Sequence, residues 1–98
     1  MKRENEIRKF NNNARLCFKR AQALNSVGLE DFSTSSAKFL TDAMFHKLNV
    51  LSLRQYNCTL QESRHALQDV LKDSYVCSLT QKIKGDLDMK AMQELLNL

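Results

Sequence analysis

The sequence predicts an all-α protein folded as a compact antiparallel bundle of four to five helices. The chain has 98 residues, 43% of them hydrophobic and 27% charged, a balance typical of a single globular domain. It contains no Pro and two Gly. β-Sandwiches and barrels need a turn about every 8–12 residues, usually made with Gly or Pro. We therefore treat residues 1–98 as one helical domain.

Apolar residues at steps of three and four predict a first helix from about Glu4 to Val27. Gly28 follows, where a helix often ends on a left-handed residue. The Asn run 11–13 interrupts the pattern, because Asn is a poor interior helix residue and a good N-cap. The alternative is therefore a helix that begins at Asn13, with residues 1–12 as a basic, partly flexible arm.

A second helix is predicted from about Thr34 to Arg54, after several candidate N-caps in residues 33–36. Its apolar residues cover most of the circumference and leave a narrow polar stripe. A helix that is apolar nearly all round is central in a bundle. This helix is therefore predicted to form the core.

The segment from Thr59 to Glu62 has the pattern of a capping box, which predicts the start of a third helix. Residues 60–84 form either one helix or two, the second beginning at Ser74. Gly85 is predicted to end this part, because Gly is frequent just past a helix C-terminus. Asp86 or Asp88 would then cap a last helix.

The last helix carries more apolar residues than one intramolecular groove is expected to cover. Leu and Met are adaptable contact residues. We therefore expect this helix to contribute to a homodimer or to a groove of a partner protein. The predicted association surface consists of Met89, Met92, Leu95 and Leu96.

The positive charge is concentrated at the start of the chain. The net charge is +4, and residues 1–20 hold seven basic and two acidic residues, whereas the other 78 hold eight basic and nine acidic ones. Arg8, Arg15 and Lys19 fall within about 40° on one helix face. This face is the candidate site for an anionic partner. The alternative is that these side chains contact only solvent.

Signatures of catalysis or metal binding are absent from the sequence. His46 and His65 lack the close paired spacing of zinc ligands, and two Gly cannot build a phosphate loop. The three cysteines form no CxxC pair and are expected to be reduced thiols. We therefore expect no cofactor, no metal and no enzymatic activity. The sequence shows no membrane span or secretion signal, which favours the cytoplasm.

In the order of its elements, the chain resembles the HEPN helical domains found with nucleotidyltransferases and RNases. These elements are a helix, Gly28, a helix that contains Ala and Phe, a turn and the segment 64–67. Catalytic members of that family carry an Arg, four to six further residues and then a His. Here Arg64 is adjacent to His65, and Arg54 precedes His65 by eleven positions. The resemblance therefore implies a helical fold without the RNase motif.

The leading hypothesis is a non-enzymatic interaction module, such as an adaptor, chaperone, immunity factor or regulator, that binds a protein partner through a helix face. A nucleic-acid-associated module that uses the basic first helix is the alternative. Phe10 and Phe18 belong to the apolar face of this helix and not to its basic face, so a stacking platform for single strands is not indicated.

Overall fold

Two long antiparallel helices form the frame of the protein. A computed structural model describes residues 3–27 and 33–98, and the regular structure of these residues is entirely helical. Five helices pack into one bundle, which confirms the predicted fold class. They are α1 (Glu4–Val27), α2 (Ser33–Tyr56), α3 (Ala66–Val70), α4 (Ser74–Asp86) and α5 (Met89–Leu96).

Helix α1 is continuous through the Asn run and begins at Glu4 rather than at Asn13. The tertiary contact with α2 explains why the weak helix propensity of Asn does not break the helix. The side chain of Asn11 accepts a hydrogen bond of 3.2 Å from the Nζ atom of Lys47 on α2. The predicted cap at Gly28 and the first two residues of the predicted arm lie outside the described residues.

Helix α2 is the centre of the bundle, as predicted, because it contacts each of the other four helices. Leu40, Met44 and Leu48 are almost completely buried. The helix ends at Tyr56. Asn57 follows in the left-handed conformation, with φ of 58°, and its backbone N–H donates to the carbonyl of Leu53, a common way to end a helix.

The capping-box contacts are present, but no helix starts there. The backbone N–H of Thr59 donates to a carboxylate oxygen of Glu62, and the backbone N–H of Glu62 donates to the Thr59 hydroxyl, at 2.8 and 3.2 Å. The following residues form turns, and α3 begins only at Ala66. The prediction of a helix from Thr59 is therefore wrong.

Contacts with distant residues explain this difference. The guanidinium group of Arg3 lies 2.6 Å from the carboxylate of Glu62. The side-chain oxygen of Asn49, on α2, accepts a hydrogen bond of 2.8 Å from the backbone N–H of Leu60. The segment is thus bound to the start of α1 and to α2, and the backbone N–H groups of Thr59, Leu60 and Glu62 have side-chain partners instead of α-helical ones.

The structure resolves residues 60–84 into two helices, α3 and α4. The N-cap of α4 is Asp73 rather than Ser74, because the Asp73 carboxylate accepts hydrogen bonds from the backbone N–H groups of Tyr75 and Val76. An Asp side chain is an effective cap for the free N–H groups of a first turn.

The end of α4 differs from the prediction by two residues. Gly85 lies inside the helix, and the left-handed residue is Leu87, with φ of 51°. The following N-cap is Asp88, whose carboxylate accepts from the backbone N–H of Ala91 at 3.0 Å. Of the two candidate caps for the last helix, Asp88 is therefore the observed one.

The apolar face of α5 packs into the core of its own chain. Met92, Leu95 and Leu96 are buried, and Met89 is half-buried against the same core. The expectation that one intramolecular groove would leave these residues uncovered is therefore wrong, because the α1–α2 pair and α4 together cover the short helix. Formation of a homodimer stays a prediction, and it would have to use other residues.

We expect Leu48→Ala to lower the free energy of unfolding by about 2–5 kcal/mol, because it opens a cavity in the core. Leu48 is 1% exposed. Phe45→Ala on the same helix is the matched control, since Phe45 is 37% exposed, and it should cost clearly less. Chemical denaturation measures both, and equal losses would contradict the burial described for α2.

We expect Gly85→Ala to raise the free energy of unfolding by about 0.5–1 kcal/mol, because Ala is the better residue inside a helix. A Cβ atom at position 85 would meet nothing within 4 Å. If Gly85 were the left-handed end of the helix, the same substitution would be destabilising, so the sign of the change in denaturation midpoint decides between the two placements.

Candidate anion-binding surface

The outer face of α1 carries the three basic residues that the sequence singled out. Arg8, Arg15 and Lys19 are exposed, whereas Ala14 and Ala21 on the opposite side enter the core. The structure thus places the three predicted residues on one exposed face. Eleven positions separate the first from the last, which corresponds to about 16 Å along a helix.

Arg8, Arg15 and Lys19 form no ion pair within the described part of the chain. No acidic residue occurs between Arg8 and Val27. The ion pairs found among the described residues involve Arg3 and Lys72 instead. The other basic side chains of α1 point elsewhere, and the guanidinium group of Arg20 lies over the ring of Phe39 at 5.8 Å.

Lys47 adds a buried positive charge behind this face. Its side chain is 2% exposed, and its Nζ atom donates a hydrogen bond of 3.2 Å to the Asn11 side chain. Burial, together with the positive charges of Arg54 and Arg15, lowers the pKa of Lys47 to about 8. Arg15 of the predicted site therefore lies near Lys47.

The sequence analysis missed Lys47 as a site residue. A signal was present, because Lys47 is the only charged residue between Met44 and Leu53 in the most apolar part of the central helix. A lysine at such a position is either directed out of the core or buried at a cost. The periodicity of α2 could not decide between these outcomes.

A groove lies between α1 and the C-terminal end of α5, beside these cations. Its volume is about 250 Å³. Arg54 reaches the same end of α5, where its guanidinium group donates a hydrogen bond of 3.1 Å to the Leu98 carbonyl. Basic side chains thus face the carbonyl end of α5, which carries a partial negative charge. The groove is lined by Arg15, Phe18, Lys19, Gln22, Gln93, Leu96 and Asn97.

The two histidines lie in different environments. The ring of His46 packs against that of Phe10, with 5.8 Å between centroids. His65 is exposed just before α3, whereas Arg54 is bound to the carbonyl of Leu98. In residues 3–27 and 33–98, no three His, Cys, Asp or Glu side chains form a group that could hold a metal ion.

The three cysteines are free and half-buried. Burial raises the pKa of the Cys17 thiol, and the negative charge of Asp42 raises it further. A raised pKa lowers the thiolate fraction and with it the nucleophilicity of the thiol. Cys17 therefore lacks the environment of an activated nucleophile.

Comparison of the chain with models of protein families, with curated proteins and with solved structures finds no match. None of the helices in the described ranges is long and apolar enough to cross a bilayer. Proposals about function are therefore based on the geometry of this chain.

We expect Lys47→Met to raise the free energy of unfolding at pH 7 by about 1–3 kcal/mol, because it replaces a buried charge without an acidic partner by an apolar side chain of similar length. The pKa of Lys47 is about 8 in the folded state and about 10.4 in an unfolded chain. At pH values between these two pKa values, the unfolded state binds more protons than the folded state does. The contribution of Lys47 to the free energy of unfolding of the wild type therefore becomes more favourable as the pH rises.

The advantage of the Lys47→Met variant should therefore shrink between pH 8 and about pH 10. Urea denaturation of both proteins at several pH values measures this, and the other titrating groups cancel in the difference. A variant that is less stable than the wild type at pH 7 would show that favourable contacts of Lys47 outweigh its burial.

Proposed function

We propose that the protein is a non-enzymatic interaction module that binds an acidic protein partner through the outer face of α1. The observation that carries this proposal is the exposed row of Arg8, Arg15 and Lys19 without an acidic residue among them. The fold does not use these three side chains in its core or in its ion pairs. Their charge is therefore available to a partner.

An exposed apolar residue beside the basic row supports a protein partner. Leu16 is 46% exposed and follows Arg15 directly. Protein interfaces combine apolar contacts with Arg, which is enriched there relative to Lys. Three free thiols, Cys17, Cys58 and Cys77, support a reducing, cytoplasmic setting for this binding.

The dimensions of the face favour an acidic protein over nucleic acid. Proteins that bind duplex DNA strongly make about 6–10 phosphate contacts, whereas this row offers three cations. Lys47 and Arg54 do not widen it, because Lys47 is buried and Arg54 is bound to the Leu98 carbonyl. The contact area is therefore that of a short acidic protein segment.

The test is a triple charge reversal, Arg8→Glu, Arg15→Glu and Lys19→Glu, with a fluorescent 20-residue polyglutamate as probe. We expect the affinity to fall at least about tenfold, because reversal replaces attraction by repulsion. Circular dichroism checks that the fold is unchanged. The matched control reverses three exposed lysines on other helices, which should change the affinity less than about twofold: Lys38, Lys82 and Lys90.

Equal losses in the two triple variants would show that binding follows net charge and not the α1 face, which contradicts the proposal. A 20-base-pair DNA duplex is measured in parallel at 150 mM salt. Nonspecific binding of DNA has dissociation constants of about 10⁻⁴ to 10⁻⁶ M under such conditions. Submicromolar binding of the duplex, lost on reversal of the α1 charges, would assign this face to nucleic acid instead.

A further inference from the structure

The groove between α1 and α5 combines an apolar floor with a basic and polar rim. Phe18 and Leu96 form the floor and belong to the core. Arg15 and Lys19 contribute the charges, and both are exposed. Three amide side chains complete the lining, and they are Gln22, Gln93 and Asn97.

The charge around the groove favours an anionic occupant. Two of its lining residues are cations and none is acidic. Arg15 also lies close enough to Lys47 for its positive charge to lower the pKa of that lysine. The carbonyl end of α5 contributes only about half a negative charge. The local sum of charges is therefore positive.

The apolar floor narrows the choice of occupant. A phosphate ion or a nucleic-acid backbone would contact the cations and leave Phe18 and Leu96 unused. The volume of about 250 Å³ lies just below the range of about 300–1,000 Å³ of sites for drug-sized ligands. Amide side chains donate and accept hydrogen bonds, which suits the backbone of a peptide.

We infer that the groove binds an acidic peptide segment that carries one apolar side chain. The apolar side chain packs on Phe18 and Leu96, and the flanking carboxylates contact Arg15 and Lys19. This inference rests on the proposed function and specifies the part of the acidic partner that enters the groove. The nearby Leu16 and Arg8 then contact the remainder of the partner.

The experiment uses two capped pentapeptides as probes. One has four glutamates around a central leucine, and the other has serine in place of the leucine. Both carry the same charge, so any difference in affinity reports on the apolar side chain. We expect the leucine peptide to bind the wild-type chain about tenfold more tightly in a titration followed by NMR, because a buried leucine contributes strongly to affinity.

A variant that fills the groove without changing its charge tests the location. Gln22 is exposed at the rim, so Gln22→Trp should leave the fold intact and block the floor. We expect the affinity for the leucine peptide to fall to that for the serine peptide. Gln81→Trp, at an exposed position of α4, is the matched control and should preserve the preference for leucine.

Three results would overturn the inference, and only the last would also overturn the proposed function. If polyglutamate binds the α1 face but the two pentapeptides do not differ, the groove has no role and the proposed function stands. The same holds if Gln22→Trp and Gln81→Trp leave the preference for leucine equally intact. If none of the acidic probes binds, both the inference and the proposed function are wrong.

Discussion

The packing of the other helices around α2 is the constraint on which the rest of the structure depends. Helices α3 and α5 have five and eight residues, too few to be stable in water by themselves. Both contact α2, and the buried residues of α5 join the same core as Leu48 and Phe18. Without α2, these short helices would have no apolar surface on which to fold.

The central position of α2 also determines how its polar residues act. Lys47, Asn49 and Ser52 are buried, and within the described ranges no buried side-chain nitrogen or oxygen lacks a partner. Ser52 donates a hydrogen bond of 2.6 Å to the carbonyl of Cys58, and Asn49 accepts one from the Leu60 backbone. These bonds attach the turn after α2 to the helix and specify the path of that turn. Burial of the Lys47 side chain, in contrast, is energetically unfavourable.

Except for Phe18, which belongs both to the core and to the floor of the groove, stability and the proposed binding use different residues of α1. Ala14, Phe18 and Ala21 bury the inner face, whereas Arg8 and Lys19 on the outer face have no ion pair among the described residues. Charged side chains that form no contacts within the fold are the first candidates for contacts with a partner. The opposite holds for α5, whose apolar residues resemble an interface in sequence but form part of the core.

The sequence by itself determined the helical class, the frame of α1 and α2 and the basic face, and it limited the cap of the last helix to Asp86 or Asp88, because periodicity and capping depend on residues a few positions apart. Only the tertiary structure decided that the Thr59–Glu62 contacts close a turn, because Arg3 and Asn49 bind this segment from far along the chain. It also decided the burial of Lys47 and α5, since burial depends on which helices meet.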